Sequence, residues 1–464
     1  MVVKMFAVLA LLIFTCMTAD AAQKPNVIII YCDDLGYGDI GCFGSAKHRT
    51  PNIDQLSSEG LTLTNFYVTS GVCTPSRSSL MTGCYPKRIG MHQNENGGWV
   101  LFPGNHQGLN PQETTIAEVL KQAGYATKIV GKWHLGDQPE FLPTRQGFDS
   151  YFGIPFSNDM GYWIPKRNYP PLPLMRDESV IEQEPDQSQL TKRYTEEAIS
   201  FLENHQSDPF FLYWPHTFPH VPLYASQAFK GKSKNRDYGD AVEEIDWSVG
   251  ELSKALKRLE LEKNTLVIFT SDNGAAQRWG GSNGPLRGYK GSTWEGGMRV
   301  PCIMKWPAAI PAGTVSREIV STLDILPTLA SIVGQKLPEN RIIDGLDLSQ
   351  MLANPLDVNS PRDTMYYYFK SDLCAVRHEH WKLHVRPSKA SAGQNYQPEL
   401  YNLSNDIGET RNVYDENPEV VYKLTELIEF CRNDLGDGKH PGKNTREPGL
   451  VKNPKTLTEK PITE

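Results

Sequence analysis

The stretch "PNVIIIYCDDLGYGDIGCFG", residues 25–44, decides how the chain folds. Val27 to Tyr31 is an unbroken apolar run rich in β-branched residues. A strand with one wet face would alternate polar and apolar residues. This run does not, so it reads as a strand buried on both faces, the pattern of a parallel sheet. It stops at two adjacent aspartates, Asp33 and Asp34, followed by glycines. The same scheme recurs in "ETTIAEVLKQAGYATKIVGKWHLG" (113–136), "RYTEEAISFLENHQSDPFFLYWPHTFPHVPL" (193–223) and "EEIDWSVGELSKALKRLELEKNTLVIFTSDNG" (243–274). Each has a helix of 3.6-residue apolar spacing, a turn, a short apolar strand and a polar end. Helices alternating with buried strands predict an α/β sheet covered on both faces. In such sheets ligands gather beyond the carboxyl ends of the strands. Those ends carry Asp33-Asp34, Lys132 with His134, His216 with His220, and Asp272-Asn273, so chemistry converges on one edge.

From about Pro361 the pattern changes. "TMYYYFKSDLCAVRHEHWKLHVR" (364–386) has short aromatic strands of antiparallel type, then "ELYNLSNDIGETRNV" and a helix near Glu416–Arg432. A second, smaller α+β domain is expected over 361–464, after a larger domain over 23–360. Residues 158–190, rich in proline and charge, read as a long surface excursion able to shape substrate access. The tail after Gly438 reads as extended or mobile.

The chain begins with Lys4, an apolar run from Met5 to about Phe14, and Ala19-Asp20-Ala21 as a small-residue cleavage site. The run is shorter than the roughly 20 residues that span a bilayer. Residues 1–22 therefore read as a cleaved signal peptide, with an exported product that is periplasmic, extracellular or, in a eukaryote, lysosomal. No second apolar segment predicts stable membrane insertion. The formal net charge is −7 and no basic block stands out, which argues against nucleic acid as a partner. Of eight cysteines, Cys16 falls in the signal segment and seven remain, an odd number that flags at least one unpaired thiol. There is no CxxC pair to hold zinc or run redox exchange.

The candidate residues fall into two chemical sets. Asp33, Asp34, Asp272 and Asn273 offer hard oxygen donors, which suit Ca²⁺ or Mg²⁺ better than zinc. A bound cation would also explain two adjacent carboxylates at a strand end. Lys132 and His134 alternate in "GKWHLG", so on an extended chain both face one side. A lysine there supplies charge to an oxyanion, and a histidine moves a proton near neutral pH. His220 is flanked by proline in "PHVP", His216 reads as structural, and Lys290 lies in a glycine-rich loop where backbone can approach an anion. In "GVCTPSRSSLMTG" (71–83) Ser76 is expected to cap a helix running from Arg77, which places Cys73 near a helix N-terminus and beside a cation. Cys73 is then a buried thiol, half of a disulfide, or a thiolate of depressed pKa.

The run Cys73-Thr74-Pro75-Ser76-Arg77, with Leu80, Thr82 and Gly83, resembles the signature of the formylglycine-dependent sulfatases. "TPNIDQLSSEG", "GYATKIVGKWHLG", "GIPFSNDMG", "FTSDNG", "KGSTWEGGMRVP", "DGLDL" and "ELYNLSNDIGETRN" resemble further blocks of that family in order, from Pro25 to about Val413. No motif position departs from the pattern. The resemblance implies an alkaline-phosphatase-like fold: a large mixed sheet sandwiched by helices, then a small C-terminal domain with a four-stranded antiparallel sheet and a helix. It implies that Cys73 is oxidised to formylglycine by a maturation enzyme, and that Asp33, Asp34, Asp272, Asn273 and the modified Cys73 bind one Ca²⁺. Arg77 would steady the formylglycine hydrate. Lys132, Ser157, His220 and Lys290 would hold the sulfate, Lys290 with His220 would assist the leaving oxygen, and His134 would act as the base that releases sulfate. The expected substrate is a sulfated small molecule or glycan, with a carbohydrate sulfate cleaved in exo fashion, because Trp99, Trp163 and Trp279 near loops can stack sugars. "GMHQNENGGW" and Arg287 are candidates for the pocket rim. Two alternatives share much of this sequence logic: a phosphodiesterase or phosphonate monoester hydrolase of the same superfold, and a non-catalytic protein that binds sulfated glycans.

Overall fold

In the computed structural model, which describes residues 24–163, 167–388 and 396–457, the strand Asn26–Cys32 is wholly buried and central. It pairs in parallel with Phe210–Pro215 on one side and Thr265–Ser271 on the other. Ten strands form the sheet, in the order Thr314–Ser321, Leu61–Tyr67, Arg299–Lys305, Thr265–Ser271, Asn26–Cys32, Phe210–Pro215, Ala126–Val130, Ser150–Gly153, Pro173–Arg176 and Ser179–Gln183. Arg299–Lys305 runs antiparallel to both its neighbours, which makes the sheet mixed.

The unbroken apolar run is explained by what covers it. Val27, Ile29 and Tyr31 enter one core with Ile116 and Leu120 of the helix Ile116–Gln122 and Leu326 and Leu329 of the helix Ile325–Ile332. Ile28 and Ile30 enter the opposite core, with Tyr194 and Phe201 of Leu190–Asn204 and Val242, Ile245 and Val249 of Arg236–Arg258. That last helix buries Tyr238, Val242, Ile245, Val249, Leu252 and Leu256, spaced by three or four residues. Asp237 in its first turn and Lys257 and Arg258 in its last complement the helix dipole.

A separate antiparallel sheet, Thr364–Phe369, Asp372–His378, Trp381–His384 and Glu399–Asn402, packs under the helix Pro418–Leu435. Leu373, Val376, Leu383 and Leu400 meet Leu424, Ile428 and Cys431 there. The two sheets are joined through buried charge. Lys382 Nζ donates to Glu295 Oε1 and the Thr293 carbonyl, each at 2.9 Å, and lies 2.9 Å from Glu409 Oε1. The Glu295 amide donates to Glu409 Oε2 at 2.8 Å.

Three expectations change here. Within residues 158–190 the chain forms a hairpin, Pro173–Arg176 with Ser179–Gln183, that extends the main sheet and buries Leu172, Leu174 and Met175. The tail is extended but tied down. Arg446 makes a two-pronged pair with Glu113 at 2.8 Å, and Gly449-Leu450 pair with Gln107-Gly108. The cysteines Cys32, Cys42, Cys73, Cys84, Cys302, Cys374 and Cys431 are all free, so the odd count does not single out Cys73. Six of them, Cys73 included, are buried, and Cys42 is exposed. The expected signal peptide lies outside the described residues. Among the described residues no helix is long and apolar enough to cross a membrane.

Candidate active site

The helix Cys73–Thr82 starts at Cys73 itself, because Val72 is extended (φ −144°, ψ 157°). Ser76 is therefore inside the first turn rather than capping it, and its Oγ meets the Tyr31 hydroxyl at 3.1 Å. Pro75 is tolerated because first-turn amides lack helical partners anyway. Gly83, at φ 66°, ends the helix in the left-handed conformation that glycine adopts without strain. All ten helix residues are buried, and Cys73 is 2% exposed.

Burial pushes the Cys73 thiol well up, and Asp33 adds to it, outweighing Lys132 and Lys290. This direction is opposite to that of a depressed-pKa thiolate, and Cys73 is not in a disulfide. Cys73 Sγ lies 3.4 Å from Asp33 Oδ1 and 3.6 Å from Lys290 Nζ. Arg77 is wholly buried and donates from Nη2 and Nε to Asp272 Oδ2 at 2.7 and 3.1 Å, and from Nη1 to the Lys132 carbonyl at 3.1 Å. It thus fixes two other strand ends relative to Cys73.

Lys132 Nζ donates to Asp33 Oδ2 at 2.5 Å and to Ser157 Oγ at 3.2 Å. Its approach depends on Gly131 (φ 129°), where a Cβ would fall 1.8 Å from the Pro215 carbonyl oxygen. His134 is not extended as the alternation implied; it takes φ 62° after the strand has ended at Val130. That turn buries it. Its Nε2 lies 3.0 Å from the Leu101 carbonyl, which can only accept, so Nε2 carries the proton. Nδ1 is left as a buried lone pair without a protein partner. Burial, then Lys132, hold this imidazole well below its usual pKa, so it is neutral and available as a base.

His220 is set the opposite way round. Nδ1 faces the Val221 carbonyl at 2.6 Å and Asn158 Oδ1 at 3.0 Å, both acceptors, so the proton sits on Nδ1. Nε2 lies 3.8 Å from Asp34 Oδ2. Burial and then Lys290 lower its pKa. His216 stays outside the cluster, its ring tilted 36° against Trp214, and is pushed down to about 3 by burial. Lys290 lies 2.6 Å from Asp34 Oδ1 and 2.8 Å from Oδ2. Its loop is pinned by the Gly291 amide donating to the Gly71 carbonyl at 2.7 Å, next to Cys73.

The acids disagree among themselves. Burial raises Asp33, yet Lys132, His220, Arg77 and Lys290 together hold it well below the carboxylate range. Burial and the Asp33 charge push Asp272 up to about 7. Asp34 takes φ 68° and accepts from Asn273 Nδ2 at 2.7 Å, while Asn273 Oδ1 is buried with no protein partner. Asp33, Asp34, Cys73 and His220 present ligand atoms all within 4.8 Å of one another. An orphaned amide oxygen beside three crowded carboxylates fits a hard cation held by oxygen.

Asp33, Asp34, Cys73, Arg77, Lys132, His134, Ser157, His220, Asp272, Asn273 and Lys290 thus come together in one cluster, and His216 stays outside it. Arg287 does not line it; its guanidinium stacks 3.6 Å over Trp294 and donates to the Glu409 carbonyl at 2.8 Å. Asn158 and Leu101 were missed. Asn158 was adjacent to Ser157 in a quoted block, but the role of the Leu101 carbonyl has no side-chain signal.

Comparison with known proteins gives the family. Residues 25–335 match the family model described as "Sulfatase", and residues 289–434 match "N-sulphoglucosamine sulphohydrolase, C-terminal". N-acetylgalactosamine-6-sulfatase of Canis lupus familiaris is 40% identical over 383 residues, covering 79% of this chain and 72% of that one. Arylsulfatase A of Homo sapiens is 39% identical over 451 residues, covering 88% and 87%. A crystal structure of Ps i-CgsB in complex with k-i-k-neocarrahexaose superposes with a TM-score of 0.77 at 32% identity, over 90% of this chain and 95% of that one. With a buried cysteine ringed by lysines, histidines and acids at the strand ends of an alkaline-phosphatase-like sheet, the chain belongs to the sulfatase family and is a sulfuric ester hydrolase.

Proposed function

We propose that the protein removes sulfate from carbohydrates, with Cys73 oxidised to formylglycine by a maturation enzyme and with one Ca²⁺ beside it. The observation that carries this is the placement of Lys132, Lys290, His134 and His220 around the buried Cys73 and the acids beside it. The names of the relatives, an N-acetylgalactosamine-6-sulfatase and a structure holding a neocarrahexaose, support a sugar as the alcohol part of the ester. Asp33, Asp34, Asp272 and Asn273 would hold the ion, which supplies positive charge to the sulfate oxygens. The formylglycine hydrate supplies a hydroxyl that can attack sulfur.

The rest is the work of this chain's own side chains. Lys132 with Ser157 and Lys290 with His220 bind the nonbridging oxygens, whose charge grows in the transition state. Lys290 and His220 face the leaving oxygen. His134, with Nδ1 unprotonated, takes the proton whose loss frees sulfate from the enzyme. Arg77 holds Asp272 and the Lys132 backbone in place and steadies the hydrate. We assign the catalytic part to residues 23–360 and the smaller part to 361–464, and we read residues 1–22 as an export signal.

Protein co-expressed with a formylglycine-generating enzyme should show the aldehyde at residue 73 by peptide mass spectrometry. It should hydrolyse sulfate esters of mono- and oligosaccharides and an aryl sulfate faster than phosphate monoesters or phosphodiesters. A dominant phosphodiester rate would sink the sulfatase assignment of the site. Activity on aryl esters alone would remove the sugar.

A further inference from the structure

The exposed Trp99 has contacts that tie it to both sides of the catalytic cluster. It lies on a loop stiffened by Asn94, whose Oδ1 accepts from the Asn96 and Gly98 amides at 3.0 and 2.7 Å and whose Nδ2 donates to the Val100 carbonyl at 2.8 Å. Two residues on, Leu101 orients His134 through its carbonyl, and its amide donates to Thr74 Oγ1 at 3.2 Å. The ring of Trp99 rests on Gly291, the neighbour of Lys290; a Cβ there would fall 2.5 Å from the indole. A large apolar ring left 40% exposed beside a reaction centre, and held by both catalytic loops, is built for contact.

The smaller sheet completes the feature. The turn after Thr364–Phe369 brings Phe369 edge-on to Trp99 at 5.3 Å between centroids. Lys370, at φ 53° in that turn, donates to the Gly97 carbonyl at 2.8 Å and holds its ammonium 5.9 Å from the indole centroid. Gly71, Val72, His92 and Gly291 line the same depression. An exposed aromatic ring with a cation over it matches a sugar ring that carries negative charge: the indole takes the apolar side of the sugar, and the ammonium takes the anion.

We propose that Trp99 and Lys370 form a subsite for the sugar next to the sulfated one, and that this neighbouring sugar bears an anionic group, either a carboxylate or a second sulfate. The subsite rests on the carbohydrate reading above. It makes the C-terminal sheet part of substrate selection. It also commits the substrate to an acidic oligosaccharide rather than an isolated sugar sulfate.

The test compares kcat/KM on three sulfated disaccharides, whose second sugar is neutral, uronate or sulfated, with kcat/KM on an aryl sulfate. Wild type should favour one of the two acidic disaccharides over the neutral one, and which it is identifies the anion. Trp99→Ala should lower the disaccharide-to-aryl ratio about tenfold through KM. Lys370→Met should lower the acidic-to-neutral ratio about fivefold, and Lys370→Arg should restore most of it. The ratios cancel any general loss of folded enzyme. If wild type cleaves the disaccharides but both ratios stay within twofold in the variants, the subsite is wrong and the carbohydrate reading stands. If wild type cleaves the aryl sulfate alone, both fall together.

Discussion

Two buried charge clusters, which come nearest in sequence at Lys290 and Glu295, serve opposite ends. At the junction of the sheets, cations separate the acids. Lys382 stands between Glu295 and Glu409, and Arg299 and Arg377 reach Glu295 at 3.6 and 4.0 Å. Burial would raise Glu295, but Lys382, Arg377 and Arg299 hold it down at about 2. At the strand ends the acids are crowded together instead. Asp33 is driven far down while Asp272 rises to about 7. Matched charges make a rigid joint; mismatched ones, pushed apart in pKa, leave groups ready to bind an ion or move a proton.

The sharpest way to break this contrast is Cys73→Ala. It should cut kcat on an aryl sulfate by at least about 10⁴-fold, while the thermal midpoint stays near that of wild type, because one buried sulfur is lost and no ion pair breaks. A large drop in the midpoint would mean that the helix is structural first. Lys382→Met should do the reverse. It leaves two buried carboxylates short of a partner and should cost about 3–5 kcal/mol in urea unfolding, with kcat per folded molecule held within a few-fold. Equal loss of activity would show that the joint also sets the chemistry.

Lys290→Ala comes next, with an expected fall in kcat of about 10²–10³-fold and a smaller change in stability than Lys382→Met, because Lys290 is partly open to solvent. The proposed Ca²⁺ should bind more tightly as pH rises. Below about 7 the ion must displace a proton from Asp272, so affinity should climb up to about tenfold per pH unit and level off above that. Calorimetry in buffers of different ionisation enthalpy would register the released proton. A flat affinity from pH 5.5 to 8 would remove the conflict assigned to Asp272.

The smallest effect separates the clusters by acid. Glu295 has a folded pKa below its ordinary 4.5, so its contribution is complete at neutral pH and is lost as pH falls from about 4.5 towards 2. Glu295→Gln should flatten that part of the stability profile. An unchanged acid limb would place the sensitive carboxylate elsewhere.

Much of the fold was legible because it rests on local patterns. The apolar run at Val27–Tyr31, the spacing along Arg236–Arg258 and the polar residues that end each strand carry their own physical meaning. The acids and lysines of the site were legible for the same reason, since strand ends in an α/β sheet converge. What was not legible depends on distant partners. Nothing near Arg446 announces Glu113, and nothing near Lys382 announces Glu295. The left-handed turn at His134 and the helix start at Cys73 are set by backbone partners, the Leu101 carbonyl and the extended Val72, that leave no trace in side-chain pattern. The hairpin within 158–190 looked like loop because its charged residues face outward while Leu172, Leu174 and Met175 carry the packing.

The burial of the helix Cys73–Thr82 imposes an order of events. No residue of that helix reaches the surface, so a second protein has no grip on the folded segment. The proposed oxidation of Cys73 therefore has to happen while the chain is still open, before the central sheet closes over it. On the proposed reading, maturation would be a race between an enzyme and the folding of its target. A molecule that folded first would be sealed with an inert thiol: stable, well packed and permanently without turnover.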